Sequence, residues 1–212
     1  VLPDGTADRD GRAAVLAAGR RPVHSLMGAS ASVAAAEAAM PLPPSRRIDY
    51  RLMVLPREAW RGAAAHASAA AAAEGVRVRR AGIADAVLLF PLQRAYELEE
   101  VVVDPGLFSD AACLRMLRQG LREDLVFHAS RDGLPLAKAG TNARGWDVDQ
   151  IGGVFTVPGE RGKGLARIVM AALLEAILAE KPIACLFVKV TNDPAIALYE
   201  RLAFRTVGGY AI

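Results

Sequence analysis

The sequence of 212 residues predicts an α+β protein, in which a β-sheet flanked by helices is preceded by a small αβ unit. From Val76 onward, strand and helix patterns follow one another as strand, two helices, three strands, helix, strand, helix, strand. Before Val76, one helix and one strand form a separate pattern, and a stretch made almost entirely of Ala follows them. We therefore divide the chain into an αβ unit with its linker, residues 1–75, and a second domain, residues 76–212.

The first of these domains contains few elements. Pro22 to Met27 is a short apolar run, and Val33 to Met40 is an Ala-rich helix that Ser30 or Ser32 could cap. Three prolines after Met40 end that helix, and Ile48 to Leu55 alternates as a strand does. The Ala-rich stretch Gly62 to Gly75 is the predicted linker.

The second domain begins with an alternating strand, Val76 to Arg79, and a helix that Asp85 is expected to cap and that reaches Tyr96. A second helix fits Asp110 to Leu121, because its leucines recur on one stripe. The later elements, in chain order, are strands at Leu125 to Ser130, Leu134 to Thr141 and Trp146 to Val157, a helix at Leu165 to Ile177, a strand at Ala184 to Val190, a helix at Asp193 to Leu202 with Asp193 as its cap, and a strand at Phe204 to Ile212.

Composition and charge exclude several classes of protein. No stretch approaches the roughly 20 apolar residues of a membrane helix, and the acidic start does not resemble a signal peptide, so we expect no membrane partner. The net charge of +3 is spread along the chain, which argues against nucleic-acid binding. The two cysteines, Cys113 and Cys185, lie in apolar runs and suit reduced thiols in a cytoplasmic protein. The sequence leaves the oligomeric state, including a homodimer, open.

A glycine-rich loop joins the predicted third strand of the second domain to the helix at Leu165. Gly162 and Gly164 let backbone N–H groups turn toward one point, and the first turn of the helix adds its own N–H donors and the positive end of its dipole. Arg161 and Lys163 add charge. The loop therefore predicts an anion site suited to a pyrophosphate.

Other known glycine loops and catalytic motifs do not fit. A Walker A loop needs Ser or Thr after its Lys, and Gly164 stands there; a dinucleotide fingerprint needs a small residue where Arg167 stands. The run at Gly28 to Ser32 lacks the second Gly of a serine-hydrolase elbow. The three histidines show no metal-binding spacing, so we expect no metal.

Two segments together resemble the GNAT superfamily of acyl-CoA N-acyltransferases. Arg161-Gly162-Lys163-Gly164-Leu165-Ala166 matches its Arg/Gln-x-x-Gly-x-Gly/Ala signature, and Asn192 to Phe204 is similar to its Asn-x-x-Ala-x-x-Leu-Tyr-x-x-x-Gly-Phe pattern. One departure is Ala203, where the family usually has Gly before Phe204; this costs little if the backbone keeps a negative φ. The resemblance covers residues 76–212 and implies a mixed, mostly antiparallel GNAT-like sheet.

The resemblance also implies an activity, the transfer of an acetyl group from acetyl-CoA to an amine, and roles for residues. Gly152-Gly153 would form the bulge that admits the thioester, and Tyr199 would be the general acid. The implied acetyl-CoA contacts are the backbone N–H groups of Gly162, Lys163, Gly164, Leu165 and Ala166 with Arg161 for the pyrophosphate, and Val154, Phe155, Thr156 and Asn192 for the pantetheine arm. Asn192 could equally be a helix cap, and Tyr199 a half-buried aromatic residue.

The sequence does not identify a unique general base. Asp149 and Glu100 are candidates, together with Asp147, although the two aspartates also suit surface positions beside a hairpin. An acidic group between the first two helices of the second domain could attract a cationic acceptor or could be a solvated helix end; its members are Glu97, Glu99, Glu100 and Asp104. An alternative function is therefore a catalytically weak acyl-CoA-binding sensor or interaction module.

Overall fold

The structure is a computed structural model, and it describes residues 25–40, 43–62, 75–102 and 104–212. Within these ranges it confirms the α+β class, with eight strands in mostly antiparallel pairing and five α-helices. The strands are β1 (Gly28–Ala29), β2 (Asp49–Pro56), β3 (Val76–Arg80), β4 (Val126–Arg131), β5 (Leu134–Arg144), β6 (Val148–Thr156), β7 (Ile183–Lys189) and β8 (Arg205–Ala211). The helices are α1 (Ser30–Ala38), α2 (Ala86–Tyr96), α3 (Asp110–Glu123), α4 (Leu165–Glu180) and α5 (Asp193–Arg201).

The contacts between residues divide the chain into two compact units. Of the described residues, those between 25 and 54 form the smaller unit together with 187–200 and 204–212, and those between 55 and 186 form the larger unit together with 201–203. The predicted linker lies mostly outside the described residues, as do residues 22–24 of the predicted first apolar run. The division at residue 75 therefore stays a prediction.

Each unit has its own strand pairing. In the smaller unit, β8 pairs with β1 on one side and with β2 on the other, both antiparallel. In the larger unit, β3, β4, β5 and β6 pair in that order as antiparallel neighbours, and β6 pairs with the first part of β7 in parallel. The parallel pair is connected by α4, because a parallel connection needs a crossover.

The core of the larger unit is built by the helices that the sequence predicts. Helix α4 packs against β4, β5 and β6, and most of its residues are buried, including Met170, Leu174 and Leu178. Helices α2 and α3 share a smaller buried cluster centred on Leu89, Leu117 and Leu121.

Helix starts differ from their predicted capping. Ser30 is the first residue of α1 and caps nothing, and Asp85 turns its carboxylate to Gly82 N–H (2.9 Å) and to Arg79 instead of to α2. Hydrogen bonding to Arg79 also holds the pKa of Asp85 at about 2. Asp193 lies inside α5, whose cap is Asn192: its Oδ1 accepts a hydrogen bond from Ala195 N–H at 3.2 Å.

Helix α2 continues into a π-helical turn, Glu97–Val101, which the periodicity did not predict. Val102 N–H closes the turn by donating to Glu97 C=O at 2.8 Å. Such turns are rare and recur at functional sites, because the extra residue rotates the side chains that follow it.

Ala203 adopts a left-handed backbone conformation with φ +69°, so the condition under which the alanine would cost little is not met. The reason is the end of α5: Phe204 N–H donates to Tyr199 C=O at 3.0 Å, the bond of a Schellman motif, which requires a left-handed residue between helix and strand. An alanine in this conformation costs about 1–2 kcal/mol relative to an unstrained one.

Candidate functional site

The loop before α4 has the backbone conformation of an anion cradle. Gly162 (φ +78°) and Gly164 (φ +81°, ψ 0°) are both left-handed, which only glycine adopts without strain. Gly164 is the N-cap residue, and within the described chain no side chain caps this helix. The N–H groups of the first turn, from Leu165 onward, therefore point out of the helix end with the positive end of its dipole.

Both cations of this loop already have acidic partners. Arg161 Nη2 lies 2.7 Å from Glu99 Oε1 on the π turn, and its Nε donates to Thr156 C=O at 3.1 Å. Lys163 Nζ lies 3.0 Å from Glu160, which also meets Arg131 at 3.2 Å. The hydrogen bond from Lys163 lowers the pKa of the Glu160 carboxyl. The positive charge that the sequence predicts for binding an anion is thus partly neutralised by these acidic partners.

Strand β6, which leads into the loop, is irregular at its two glycines. Its last pair with β7 is Ile151 with Leu186, and directly afterwards its register with β5 shifts, because Gly152 pairs with Gly140 while Phe155 pairs with Lys138. Gly153 has φ +60°. This is the bulge expected at these glycines.

The predicted pantetheine-binding residues follow this bulge. Phe155 is buried, touches Tyr96 edge-on at 6.2 Å between ring centroids, and lies under the Arg161 guanidinium at 5.4 Å. Thr156 is also buried, and its hydroxyl has no partner in the described part of the chain. Val154 is half-buried.

A cavity of about 490 Å³ lies beside this bulge in the larger unit. We call it the α2–α3 cavity, because α2 with its π turn and α3 form its walls, and β4, β5 and β6 form its floor. Its lining includes Gly152 and Gly153, so the cavity reaches the backbone of β6 where the bulge begins. A Cβ at Gly152 would collide with the Asn142 side chain on β5, so a side chain there would displace part of the cavity floor.

Lys138 lies on the cavity floor, and the sequence patterns do not mark it as a site residue. Its side chain reaches from β5 to β6, where Nζ donates to Gly153 C=O at 3.0 Å and lies 4.6 Å from the centroid of the Tyr96 ring. Burial lowers its pKa to about 8. The one signal in the sequence is a single charge in the apolar strand pattern from Leu134 to Thr141.

Three carboxylates also line the cavity, and neutral groups bind them. Gln93 donates to Glu97 (2.7 Å), Gln119 to Glu123 (3.1 Å) and the Thr141 hydroxyl to Asp124 (2.9 Å).

Of the predicted acidic group, the structure therefore brings only Glu97 to the cavity. Glu99 pairs with Arg161, and Asp104 accepts from Gly106 N–H at 2.9 Å. Glu100 is half-buried on the π turn and is absent from the described lining of the cavity.

Asp149 is fully buried, contrary to its expected surface position, because it faces Arg144 across β5 and β6 at 3.0 Å. Arg144 also binds Glu180 at 2.9 Å, so the carboxylate belongs to an ion-pair network at the end of the sheet. Neither Asp149 nor Asp147 is among the described residues that line the cavity. His128 is buried on β4, and its burial lowers its pKa.

Asn192 and Tyr199 belong to the smaller unit. Asn192 caps α5 through its Oδ1, the alternative that the sequence left open. Tyr199 is buried on α5, with its ring edge-on to Phe204 at 6.0 Å between centroids.

The chain is similar to known proteins in part of its sequence and in its fold. A profile of the FR47-like protein family matches residues 141–210. A proposed GNAT-family acetyltransferase from Novosphingobium aromaticivorans has 21% identity and a TM-score of 0.56, over 80% of this chain and 66% of that one. A predicted acetyltransferase with acetyl-CoA from Clostridium acetobutylicum has 18% identity and a TM-score of 0.51, over 62% and 91%.

A ribosomal-protein-alanine N-acetyltransferase from Brucella melitensis has 19% identity and a TM-score of 0.53, over 64% of this chain and 98% of that one. No curated protein matches the chain. The chain thus has the fold of the GNAT superfamily of acyl-CoA N-acyltransferases, which confirms the resemblance seen in its sequence.

Neither a membrane-spanning helix nor a metal-binding cluster is found among the described residues. No helix there is long and apolar enough to cross a membrane. No group of three or more His, Cys, Asp or Glu side chains there is placed to hold a metal ion.

Proposed function

We propose that the protein is an N-acetyltransferase that moves an acetyl group from acetyl-CoA to a primary amine by direct attack on the thioester. The observation that carries the proposal is the order of two features along the chain. The bulge at Gly152-Gly153 of β6 lies beside a cavity, and the left-handed Gly162 and Gly164 follow at the uncapped start of α4. The GNAT fold supports the proposal, and the structure of one protein of similar fold, the predicted acetyltransferase from Clostridium acetobutylicum, contains acetyl-CoA.

In this proposal the donor lies along β6 and the loop. The N–H groups of residues 162–166 bind the pyrophosphate, because unpaired donors at a helix N-terminus favour anions. Residues 154–156 pair with the pantetheine arm as a neighbouring strand would. Asn192 donates to the same arm through its Nδ2, since its Oδ1 is used in the helix cap.

The chemistry requires one proton donor and one proton acceptor. The amine nitrogen forms a bond to the thioester carbonyl carbon, and the tetrahedral intermediate then breaks its C–S bond. The departing thiolate, whose conjugate acid has a pKa of about 8.5, takes the proton of the Tyr199 hydroxyl, whose ordinary pKa is about 10. Proton donation in such a step contributes roughly 10²–10⁴-fold to the rate.

The acceptor amine must also lose protons, since a lysine-like ammonium has a pKa of about 10.4. Asp149 and Glu100 are the carboxylates that the sequence predicts as candidates for the general base. Asp149 is paired with Arg144, and Glu100 is absent from the described cavity lining, so another residue at the cavity is a stronger candidate for this step.

Two measurements test the proposal. Isothermal titration calorimetry should detect acetyl-CoA binding, and release of the CoA thiol should accompany turnover with at least one member of a panel of primary amines. Tyr199→Phe should lower kcat by about 10²–10⁴-fold with the acetyl-CoA Kd unchanged. Tyr210→Phe is the matched control, because Tyr210 packs on Phe187 at 4.6 Å between centroids and has no assigned role.

The outcomes separate the candidate functions. Acetyl-CoA binding without turnover of any amine would favour a catalytically weak acyl-CoA-binding module. Full activity of Tyr199→Phe across the pH range would refute its role as the acid. We also propose a cytoplasmic location, since Cys113 and Cys185 are free thiols.

A further inference from the structure

Lys138 is the one basic side chain among the described residues that line the α2–α3 cavity. Only 5% of this residue is exposed, whereas Lys163 is exposed and Lys181 and Lys189 are half-buried. A lysine is rarely buried without a specific partner or task, because removing its charge from water is costly.

The lysine amine is fixed against the backbone of the proposed donor strand. Nζ donates to Gly153 C=O, and a Cβ at Gly153 would come within 2.9 Å of that nitrogen. The glycine therefore lets the amine approach the strand at its bulge. One donor position of Nζ is used in this bond, and the Tyr96 ring covers another side.

Titratable and charged groups approach Lys138 from every neighbouring element. They are Tyr96 on α2, Glu97 on the π turn, Cys113 on α3 and His128 opposite on β4, and Glu123 and Asp124 line the same cavity. Burial is the largest cause of the lowered pKa of Lys138, and the nearby Glu97 carboxylate opposes it. The balance leaves the amine able to exchange a proton near neutral pH.

We propose that Lys138 accepts the proton of the acceptor ammonium in the α2–α3 cavity. This rests on the proposed N-acetyltransferase function. The neutral Lys138 amine takes one proton from R–NH3⁺, which gives R–NH2 and a Lys138 ammonium. The R–NH2 lone pair attacks the thioester carbonyl carbon, and the C–S bond breaks as Tyr199 gives its proton to the departing thiolate. The second amine proton then passes to the Tyr199 oxygen and restores the phenol. Lys138 then returns its proton to water.

The physical reason is the repulsion between two amines in one cavity. Two ammonium groups held close together in a partly dry space cannot both stay charged, so binding the acceptor expels one proton from the pair. The pair then titrates as a unit, with an apparent pKa well below the acceptor's value in water. The cavity carboxylates Glu97, Glu123 and Asp124 favour the acceptor as its ammonium form, so they help to bind it, whereas Lys138 is the group there whose charge opposes the ammonium.

The pH dependence of kcat/KM for acetyl transfer tests the proposal. For the wild type, kcat/KM should rise about tenfold per pH unit and level off near pH 8. For Lys138→Met the rise should continue toward pH 10, the ordinary range of the free amine, with a loss of about 10²–10⁴-fold at pH 7 that shrinks at high pH. Lys138→Arg keeps the charge but cannot accept a proton, so it should not restore activity.

A direct titration of Lys138 gives a readout that does not depend on turnover. In the full chain labelled with ¹³C-lysine, one side-chain resonance should titrate near pH 8, and it should be missing in Lys138→Met. Lys181→Met is the matched control, because Lys181 binds Trp146 C=O at the exposed β5–β6 connection. That variant should keep the wild-type pH profile.

The proposal is overturned if the Lys138 resonance titrates near its ordinary value of about 10.4, or if Lys138→Arg has the wild-type profile. It is also overturned if wild-type kcat/KM shows no rise below pH 8. Absence of turnover with every amine would refute the proposed function and this step with it, whereas turnover with an unaltered profile in Lys138→Met refutes the step alone. If Lys138→Met does not fold, the wild-type profile and titration decide.

Discussion

Replacing Gly164 by Ala tests whether the left-handed start of α4 is required for acetyl-CoA binding. The glycine has φ +81°, and a Cβ added to it would meet nothing within 4 Å. The substitution therefore introduces no collision, and its whole effect is the conformational cost of a left-handed alanine, about 1–2 kcal/mol.

Gly159→Ala is the matched control for this effect. Gly159 lies five residues earlier, its Cβ would also meet nothing within 4 Å, and its φ is outside the left-handed range. Both substitutions reduce the conformational freedom of the unfolded chain by the same amount, about 0.4–1 kcal/mol, so this contribution cancels when the two variants are compared. Only the left-handed strain, about 1–2 kcal/mol, remains in the difference.

The cost of the left-handed alanine at residue 164 should appear either in the melting temperature or in the Kd for acetyl-CoA. If the loop keeps its conformation, Gly164→Ala should melt about 2–8 °C below Gly159→Ala, since each kcal/mol shifts Tm by about 2–4 °C in a chain of this size. If the loop relaxes, acetyl-CoA must restore it, and the Kd should rise about 5–30-fold. Equal Tm and equal Kd in the two variants would refute the anion-cradle conformation of this loop.

Two further predictions concern the loop cations and the end of α5. Glu99→Gln should tighten acetyl-CoA binding about 1.4–5-fold by calorimetry, because it frees Arg161 from an exposed ion pair worth about 0.2–1 kcal/mol. Glu58→Gln, on the exposed surface, is the control and should leave the Kd unchanged. Weaker binding in Glu99→Gln would contradict this role of Arg161. Ala203→Gly should raise Tm by about 1–4 °C, because the relief of left-handed strain in the folded state exceeds the stabilisation of the unfolded state by the greater conformational entropy of glycine. A lower Tm would show that the alanine is unstrained.

The order of elements from Val76 could be predicted because it depends on local patterns. The burial of one stripe of α4 follows from apolar residues at the helical period, and the hairpin at Asp132-Gly133 follows from a turn in which both residues have positive φ. The left-handed conformation of the loop before α4 was predictable for the same reason, since Gly162 and Gly164 are neighbours of the helix that they precede.

What the sequence did not predict depends on residues that are distant in the chain. Arg161 pairs with Glu99 from the π turn, and only the packed unit brings them together. Lys138 looks like one charge in an apolar strand until α2 and α3 cover it. Ala203 looks harmless because its φ is set by the hydrogen bond that ends α5, which residue types alone do not reveal.

The ion pairs of the anion loop have a consequence for how binding responds to salt. Arg131, Arg161 and Lys163 carry three positive charges, and Glu99 and Glu160 carry two negative ones, so the loop with its partners has a net charge of about +1. In the proposed function, salt would screen the attraction of the loop for phosphate, but it would also loosen the internal pairs that compete for the same cations. These two effects oppose each other, so the encounter with a polyanionic donor should be only weakly sensitive to ionic strength.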